Sequence, residues 1–300
     1  MNKIIFEGVA TALFTPIKNN RVNYSSLKKN ILRQLENGID ALVVLGTTGE
    51  PYTLSSYEKD KILDVTLQTV NGGLPVIVGV GNNCTAQTIK NLKRAENMGT
   101  ENFLVITPYV NKCTQKGLVY HFEKICDSTQ NNVILYDVPG RTGVKVSLSA
   151  FSALSLIPNL CGIKLSYGNL ENSCLIADMM KNKTAVYSGD DALNARLYLK
   201  GANGCISVTS NLIPETIKRI YNLYKNGKIK DCLDLSENIS DLNEVLFENV
   251  NPIPLKYAAN LMGLCAGDCR PPLSSPDEIV KKHIEKALKN HGILKENDIQ

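Results

Sequence analysis

The 300-residue chain has no apolar stretch that approaches about 18 residues without a polar interruption, so no segment is suited to cross a membrane as a helix. Its opening, Met1-Asn2-Lys3-Ile4-Ile5-Phe6-Glu7, reaches a charge where a secretory leader would carry its apolar core, and it has no cleavage site. The nine cysteines are odd in number and lack CxxC or Cys/His spacing, which disfavours a disulfide framework and a zinc site. Cys161, Cys205 and Cys265 lie in apolar runs and are expected to be small core residues, and reduced thiols fit a cytoplasmic setting. His121, His283 and His291 are isolated, so metal-dependent aldol chemistry and a Ser-His-Asp triad are both disfavoured. Concentrated positive charge is absent too. The net charge of +4 is spread thinly, and Lys28-Lys29 and Lys281-Lys282 read as solvated helix faces rather than a nucleic-acid surface.

What remains is an ordinary globular composition, 43% hydrophobic and 21% charged. Short runs rich in Val, Ile and Leu begin near Gly8, Ala41, Pro75, Asn102, Val133, Cys161, Thr184 and Gly204. Between them lie amphipathic stretches such as Leu27 to Leu35 and Ile89 to Met98, and Ser55-Ser56-Tyr57-Glu58 has capping-box spacing for a helix start. Apolar runs that do not alternate imply strands buried on both faces, hence a parallel sheet. Eight such units predict an α/β protein with a closed (β/α)8 TIM barrel. An open doubly wound sheet would place a glycine-rich phosphate turn after the first strand, where this chain has Phe14-Thr15-Pro16. The barrel is expected to occupy residues 1–225. Residues 226–300, with helical patterns at Ile229 to Val250, Pro254 to Met262 and Pro276 to Lys289, are expected to form a C-terminal helical region.

In such barrels the chemistry sits at the C-terminal ends of the strands. There this sequence places Gly46-Thr47-Thr48-Gly49-Glu50, Thr107-Pro108-Tyr109, Tyr136-Asp137-Val138-Pro139-Gly140-Arg141, Lys164, Gly189-Asp190-Asp191, and Ser207 with Thr209. Lys164, inside Gly162-Ile163-Lys164-Leu165, falls where a strand should be buried. A buried ammonium costs several kcal/mol unless it is paired or deprotonated, and desolvation favours the neutral amine that a Schiff-base nucleophile needs. Such a lysine either snorkels outward between helices, pairs inside the barrel with Asp190, or acts as the nucleophile; the hydroxyls around it favour the last. The Gly-Thr-Thr-Gly segment is either a tight strand-to-helix turn or a cradle of N–H groups and hydroxyls for a carboxylate. Tyr136 is either a core residue or a proton shuttle. Arg141 is either a surface cation or a bidentate partner for a substrate carboxylate.

Five ordered segments closely resemble the dihydrodipicolinate synthase (4-hydroxy-tetrahydrodipicolinate synthase) family: Gly46 to Glu50, Tyr136 to Gly143, Gly162 to Lys164, Ser188 to Asp191, and Asn251 to Lys256. The wider superfamily of N-acetylneuraminate lyase and 2-keto-3-deoxy-sugar-acid aldolases shares the lysine and tyrosine, and Arg141-Thr142-Gly143 favours the synthase branch. The resemblance implies a cytoplasmic lyase that needs no cofactor. Lys164 would form a Schiff base with pyruvate, Thr47 and Thr48 would hold its carboxylate, and Tyr136 would pass protons through Thr47. The enamine would attack aspartate semialdehyde, whose carboxylate Arg141 would hold, in the diaminopimelate and lysine pathway. Gly189, Asp190 and the Ile206 backbone would line the second-substrate pocket. The partners implied are these small molecules and further copies of the chain in a homotetramer, a dimer of dimers, with neither nucleic acid nor membrane.

Two departures from the family pattern stand out. The tyrosine pair after Thr107-Pro108 is Tyr109-Val110 here, and the missing second tyrosine would reach a neighbouring subunit's site and complete the proton relay. The stretch after the lysine reads Leu165-Ser166-Tyr167-Gly168, with Leu165 expected to face away from the Lys164 side. At the family's lysine-feedback site Asn83 and Tyr109 are kept, whereas Lys59 and Gln87 replace the usual histidine and glutamate. An added cation and a lost anion predict weak or absent feedback by lysine. The alternatives to the synthase are a lyase acting on a 2-keto-3-deoxy sugar acid or N-acetylneuraminate-like compound through the same Schiff base, and a non-catalytic keto-acid-binding barrel.

Overall fold

Eight short strands have nearly every residue buried, which is what a parallel sheet covered on both faces requires. They are β1 Gly8–Ala12, β2 Ala41–Val44, β3 Val76–Gly79, β4 Asn102–Ile106, β5 Asn132–Asp137, β6 Leu160–Leu165, β7 Ala185–Ser188 and β8 Gly204–Ser207. Each pairs in parallel with the next, and β8 closes on β1 through Gly8 opposite Gly204 and Ala10 opposite Ile206. The computed structural model describes residues 3–294. Met1 and Asn2 of the opening segment, and residues 295–300 of the expected C-terminal region, lie outside the described residues.

The strands begin within one residue of the positions read from the apolar runs. Helices α1 Tyr24–Glu36, α2 Ser56–Val70, α3 Thr85–Glu96, α4 Gln115–Asp127, α5 Leu148–Leu154, α6 Leu170–Met180, α7 Asn194–Tyr198 and α8 Pro214–Lys225 follow them in turn. The capping box at α2 forms in both directions: the Glu58 N–H donates to Ser55 Oγ at 3.2 Å and the Ser55 N–H to Glu58 Oε2 at 2.9 Å. After α8 come α9 Ile229–Asn238, α10 Ser240–Glu248, α11 Ile253–Leu261 and α12 Glu278–Asn290. The apolar pattern from Ile229 to Val250, expected as one helix, breaks at Ile239, whose backbone leaves the helical region (φ −100°, ψ 13°) while its side chain stays buried.

Strand alternation divides the core into two layers. Side chains such as Leu42, Val133, Leu135, Ile163 and Leu165 face the helices, and Ala10, Val43, Ile77, Ile134 and Ile206 fill the barrel. The Phe6 ring stacks on Tyr187 at 4.3 Å, and the Tyr187 hydroxyl donates to the Phe6 carbonyl. Gly162 makes room for that ring, since a Cβ there would lie 2.8 Å from Tyr187 Cε2. Cys161 and Cys205 are buried as expected, but Cys265 is exposed. Cys265 lies in the loop after α11 with φ 52°, so the apolar run around it belongs to a turn rather than to a packed element.

Candidate active site

Lys164 and Tyr136 are direct partners in the β5–β6 register, so their side chains leave adjacent strands toward the same interior. Leu165 points the other way, into the helix-facing layer. Lys164 is only 5% exposed, and its Nζ lies 4.3 Å from the centroid of the Tyr136 ring. The aromatic face supplies a favourable quadrupole for a cation without neutralising it. Among the described residues Lys164 has no carboxylate partner, so the pairing with Asp190 is not made. Asp190 instead sits near Asp191, and burial first, then that neighbour, pushes its carboxyl above the usual range. Gly189 gives the lysine stem its path: a Cβ there would lie 2.6 Å from Lys164 Cε and 2.3 Å from Ser166 Oγ.

The Gly-Thr-Thr-Gly segment forms one turn of 3-10 helix, Thr47–Gly49, at the end of β2. It is closed by the Gly49 N–H donating to Gly46 O at 2.9 Å and the Glu50 N–H donating to Thr47 O at 3.1 Å. Neither bond uses the amides of Thr47 or Thr48. Glu50 ends the turn in the left-handed region, with φ 52°, and its buried carboxylate is held by Lys256 Nζ at 2.7 Å and the Arg270 N–H at 2.9 Å. Lys256 also donates to the Asp268 carbonyl at 2.8 Å. The turn is therefore fastened to α11 and the segment after it. These partners were missed in the sequence because Glu50 and Lys256 stand 206 residues apart and no local pattern links them.

A cavity of about 370 Å3 opens above the barrel, walled by Thr47, Thr48, Tyr136, Arg141, Lys164, Ser166, Gly189, Asp190 and Asn251. Lys164 and Tyr136 lie deep in it, and Arg141 stands exposed on the helical turn Pro139–Thr142. Tyr136 and Thr47 share this wall with no direct hydrogen bond between them. Ile206 is fully buried inside the barrel and is not among the lining residues; Val208, two residues on, is. Asp191 ties β7 to the end of β8, its Oδ2 accepting from the Val208 and Thr209 N–H groups at 2.8 and 2.9 Å.

Two further cavities adjoin this one, and Thr47 lines all three. A side cavity of about 350 Å3 holds Lys59, Asn82, Gln87, Lys90 and Arg94, with Asp60 paired to Arg94. Burial first and Arg94 second lower the affinity of Lys59 for its proton. Asn83 is not part of that wall; its carbonyl accepts from Asn111 Nδ2, and Asn82 takes the cavity position. A rim cavity of about 320 Å3 is mainly apolar, with Tyr52, Tyr109, Val110, Pro272 and Leu273 around Arg141. Tyr109 meets Tyr52 edge to face at 5.4 Å, and Val110 is 81% exposed. Among the described residues no group of three or more His, Cys, Asp or Glu side chains is arranged to hold a metal ion, and no helix is long and apolar enough to cross a membrane.

The profile of the Dihydrodipicolinate synthetase family matches residues 5–291. The 4-hydroxy-tetrahydrodipicolinate synthase 1 of Clostridium acetobutylicum is 40% identical over 291 residues, covering 97% of this chain and 99% of that protein. The 4-hydroxy-tetrahydrodipicolinate synthase of Alkaliphilus oremlandii is 37% identical, covering 97% of this chain and all of its own. Among solved structures, the dihydrodipicolinate synthase of Thermotoga maritima superposes with a TM-score of 0.94 at 37% identity, over 97% of this chain and 100% of that one. The Acinetobacter baumannii synthase, solved as a complex with pyruvate, superposes at 0.93 and 36% identity, over 97% and 100%. The Lys164 barrel site thus sits on a match in sequence and in fold over almost the whole chain, and the chain belongs to the dihydrodipicolinate synthetase family.

Proposed function

We propose that the chain is a 4-hydroxy-tetrahydrodipicolinate synthase, a lyase that condenses pyruvate with L-aspartate 4-semialdehyde in the cytoplasmic route to diaminopimelate and lysine. The observation that carries this reading is the Lys164 amine, buried without a carboxylate partner among the described residues, facing Tyr136 and the Thr47–Thr48 turn across one cavity. The amine adds to the pyruvate carbonyl, water leaves, and an iminium forms. Loss of a methyl proton gives an enamine, because the iminium accepts the electron pair. Tyr136 carries these protons, and the amides and hydroxyls of Thr47 and Thr48 receive the carboxylate. The enamine carbon then attacks the aldehyde of the second substrate, whose carboxylate Arg141 binds at the mouth. Attack of the substrate's own amine on the iminium carbon closes the ring and returns the Lys164 amine. The scheme draws on Lys164 and the substrate carbonyl and calls on no cofactor. Val110 offers no proton, so a water beside Thr47 takes the place of the family's second tyrosine in the relay. Assembly into a homotetramer is part of the proposal, supported by the exposed Val110 beside an apolar rim cavity.

Borohydride reduction in the presence of pyruvate, followed by peptide mapping, tests the reading. An adduct on the Lys164 peptide, lost in Lys164→Ala, is the expected result; an unmodified peptide sinks it. Turnover with aspartate semialdehyde, compared with a panel of 2-keto-3-deoxy acids, then decides the aldehyde.

A further inference from the structure

Asn251, in the short connection between α10 and α11, touches both groups assigned here to carboxylate recognition. Its side-chain Nδ2 donates to Thr48 Oγ1 at 3.0 Å, and its backbone carbonyl accepts from Arg141 Nη2 at 3.0 Å. It is 6% exposed, lines the cavity that holds Lys164, and its buried Oδ1 has no hydrogen-bond partner among the described residues.

A threonine hydroxyl has one proton to give and two lone pairs to receive with. Where Thr48 Oγ1 accepts from an amide N–H, its own proton is left to point elsewhere. The hydroxyl then serves as a donor facing the cavity, and a substrate carboxylate can only accept. Thr48 is itself 3% exposed, so solvent does not scramble this arrangement.

We propose that Asn251 is a positioning residue that fixes the Thr48 hydroxyl as a hydrogen-bond donor to the substrate carboxylate, while its carbonyl holds the Arg141 guanidinium at the mouth of the same cavity. The proposal rests on the reading that Thr48 receives the pyruvate carboxylate. No adduct in the parent chain ends that reading and this proposal together, whereas an adduct leaves the proposal to be judged on the variants alone.

The decisive substitution is Asn251→Asp, which keeps the shape and the backbone contact to Arg141 but replaces the N–H donor with an acceptor. The Thr48 proton then turns toward the new carboxylate, and the substrate carboxylate meets lone pairs. The pyruvate concentration for half-maximal borohydride trapping is expected to rise about tenfold or more, the loss of a hydrogen bond to a charged group. Asn251→Ala frees the hydroxyl without reversing it and is expected to raise that concentration about three- to fivefold. A merely structural role can give the same order, because a carboxylate buried at this site costs stability of its own, but it predicts an effect that does not depend on the Thr48 hydroxyl. In a Thr48→Val background no hydroxyl remains to turn and only the repulsion of the added carboxylate acts, so Asn251→Asp is expected to raise the trapping concentration by clearly less than in the parent. The proposal is overturned if Asn251→Asp traps pyruvate like the parent, which would mean that the amide presents its oxygen to Thr48. It is overturned equally if the full effect persists without the Thr48 hydroxyl. Should Asn251→Asp not fold, Asn251→Ala decides, and trapping unchanged from the parent sinks the proposal.

Discussion

Val110 holds a backbone geometry that its side chain opposes: its φ is 72°, and a β-branched residue in the left-handed region is strained. The same side chain has no proton to pass where the family resemblance implies a tyrosine. Val110→Tyr restores a phenol and removes the β-branch. A rise in kcat of about tenfold or more is expected, since positioned proton transfer is worth roughly 10²–10⁴-fold. An unchanged kcat would show that the water passes the proton as fast as a phenol would, or that this step does not limit the rate. Gly189 sets a second residue-scale expectation. Gly189→Ala puts a Cβ 2.6 Å from Lys164 Cε and 2.9 Å from the Leu165 carbonyl, so pyruvate trapping should fall about tenfold or more, with a loss of stability of about 1–3 kcal/mol from the overpacking. The side cavity supplies a third. With Lys59 and Lys90 beside the Arg94–Asp60 pair, a cationic amino acid meets net positive charge, and L-lysine should not inhibit. A sub-millimolar inhibition constant would refute that.

Among the elements, β5 and the loop that leaves it carry the clearest dependence on pH. Asp137 is fully buried; its Oδ2 accepts from the Val146 N–H at 3.0 Å and from the Tyr167 hydroxyl, while Oδ1 has no partner among the described residues. Burial outweighs those bonds and pushes its carboxyl up to about 6 from 3.8. The folded chain then binds a proton more tightly than the unfolded one. The stability this contributes is present below about pH 4 and is lost as pH rises through about 6, on the order of 3 kcal/mol. Asp137→Asn keeps an acceptor for Val146 and Tyr167 and should flatten the Asp137 contribution between pH 4 and 6 in chemical denaturation. An unchanged slope would place the titration elsewhere. At α11, the Glu50–Lys256 pair is a buried device for shape. Lys256→Met leaves the Glu50 carboxylate without its cation and should cost about 3–5 kcal/mol in denaturant midpoint experiments.

At the scale of the whole molecule, the three cavities meet at Thr47, and the apolar rim with exposed Val110 is a surface suited to another subunit. Light scattering on the purified chain should give four times the chain mass; a monomer would remove the homotetramer from the proposal. The barrel itself was legible in the sequence. Strands buried on both faces must be continuous apolar runs, and eight such runs in order admit few topologies. Lys164 was legible because a charged residue stands out against a strand that should be buried, whereas Tyr136 and the Thr47–Thr48 turn, each open to a plain structural reading, were singled out by the family resemblance. Asn251, Glu50 and Lys256 did not stand out as site-builders: their partners lie some 200 residues away, and no periodicity encodes such a contact. The sequence by itself determined the barrel and put Lys164, Tyr136 and the Thr47–Thr48 segment at the C-terminal ends of its strands, because apolar runs fix the strands and chemistry in such barrels gathers at that rim; their roles came from the family resemblance. Only the tertiary structure decided what surrounds those groups, including the Tyr136 ring beside the Lys164 amine and the Asn251 amide on the Thr48 hydroxyl. Those contacts arise from barrel closure and from the docking of the C-terminal helices, which bring distant residues within hydrogen-bond range.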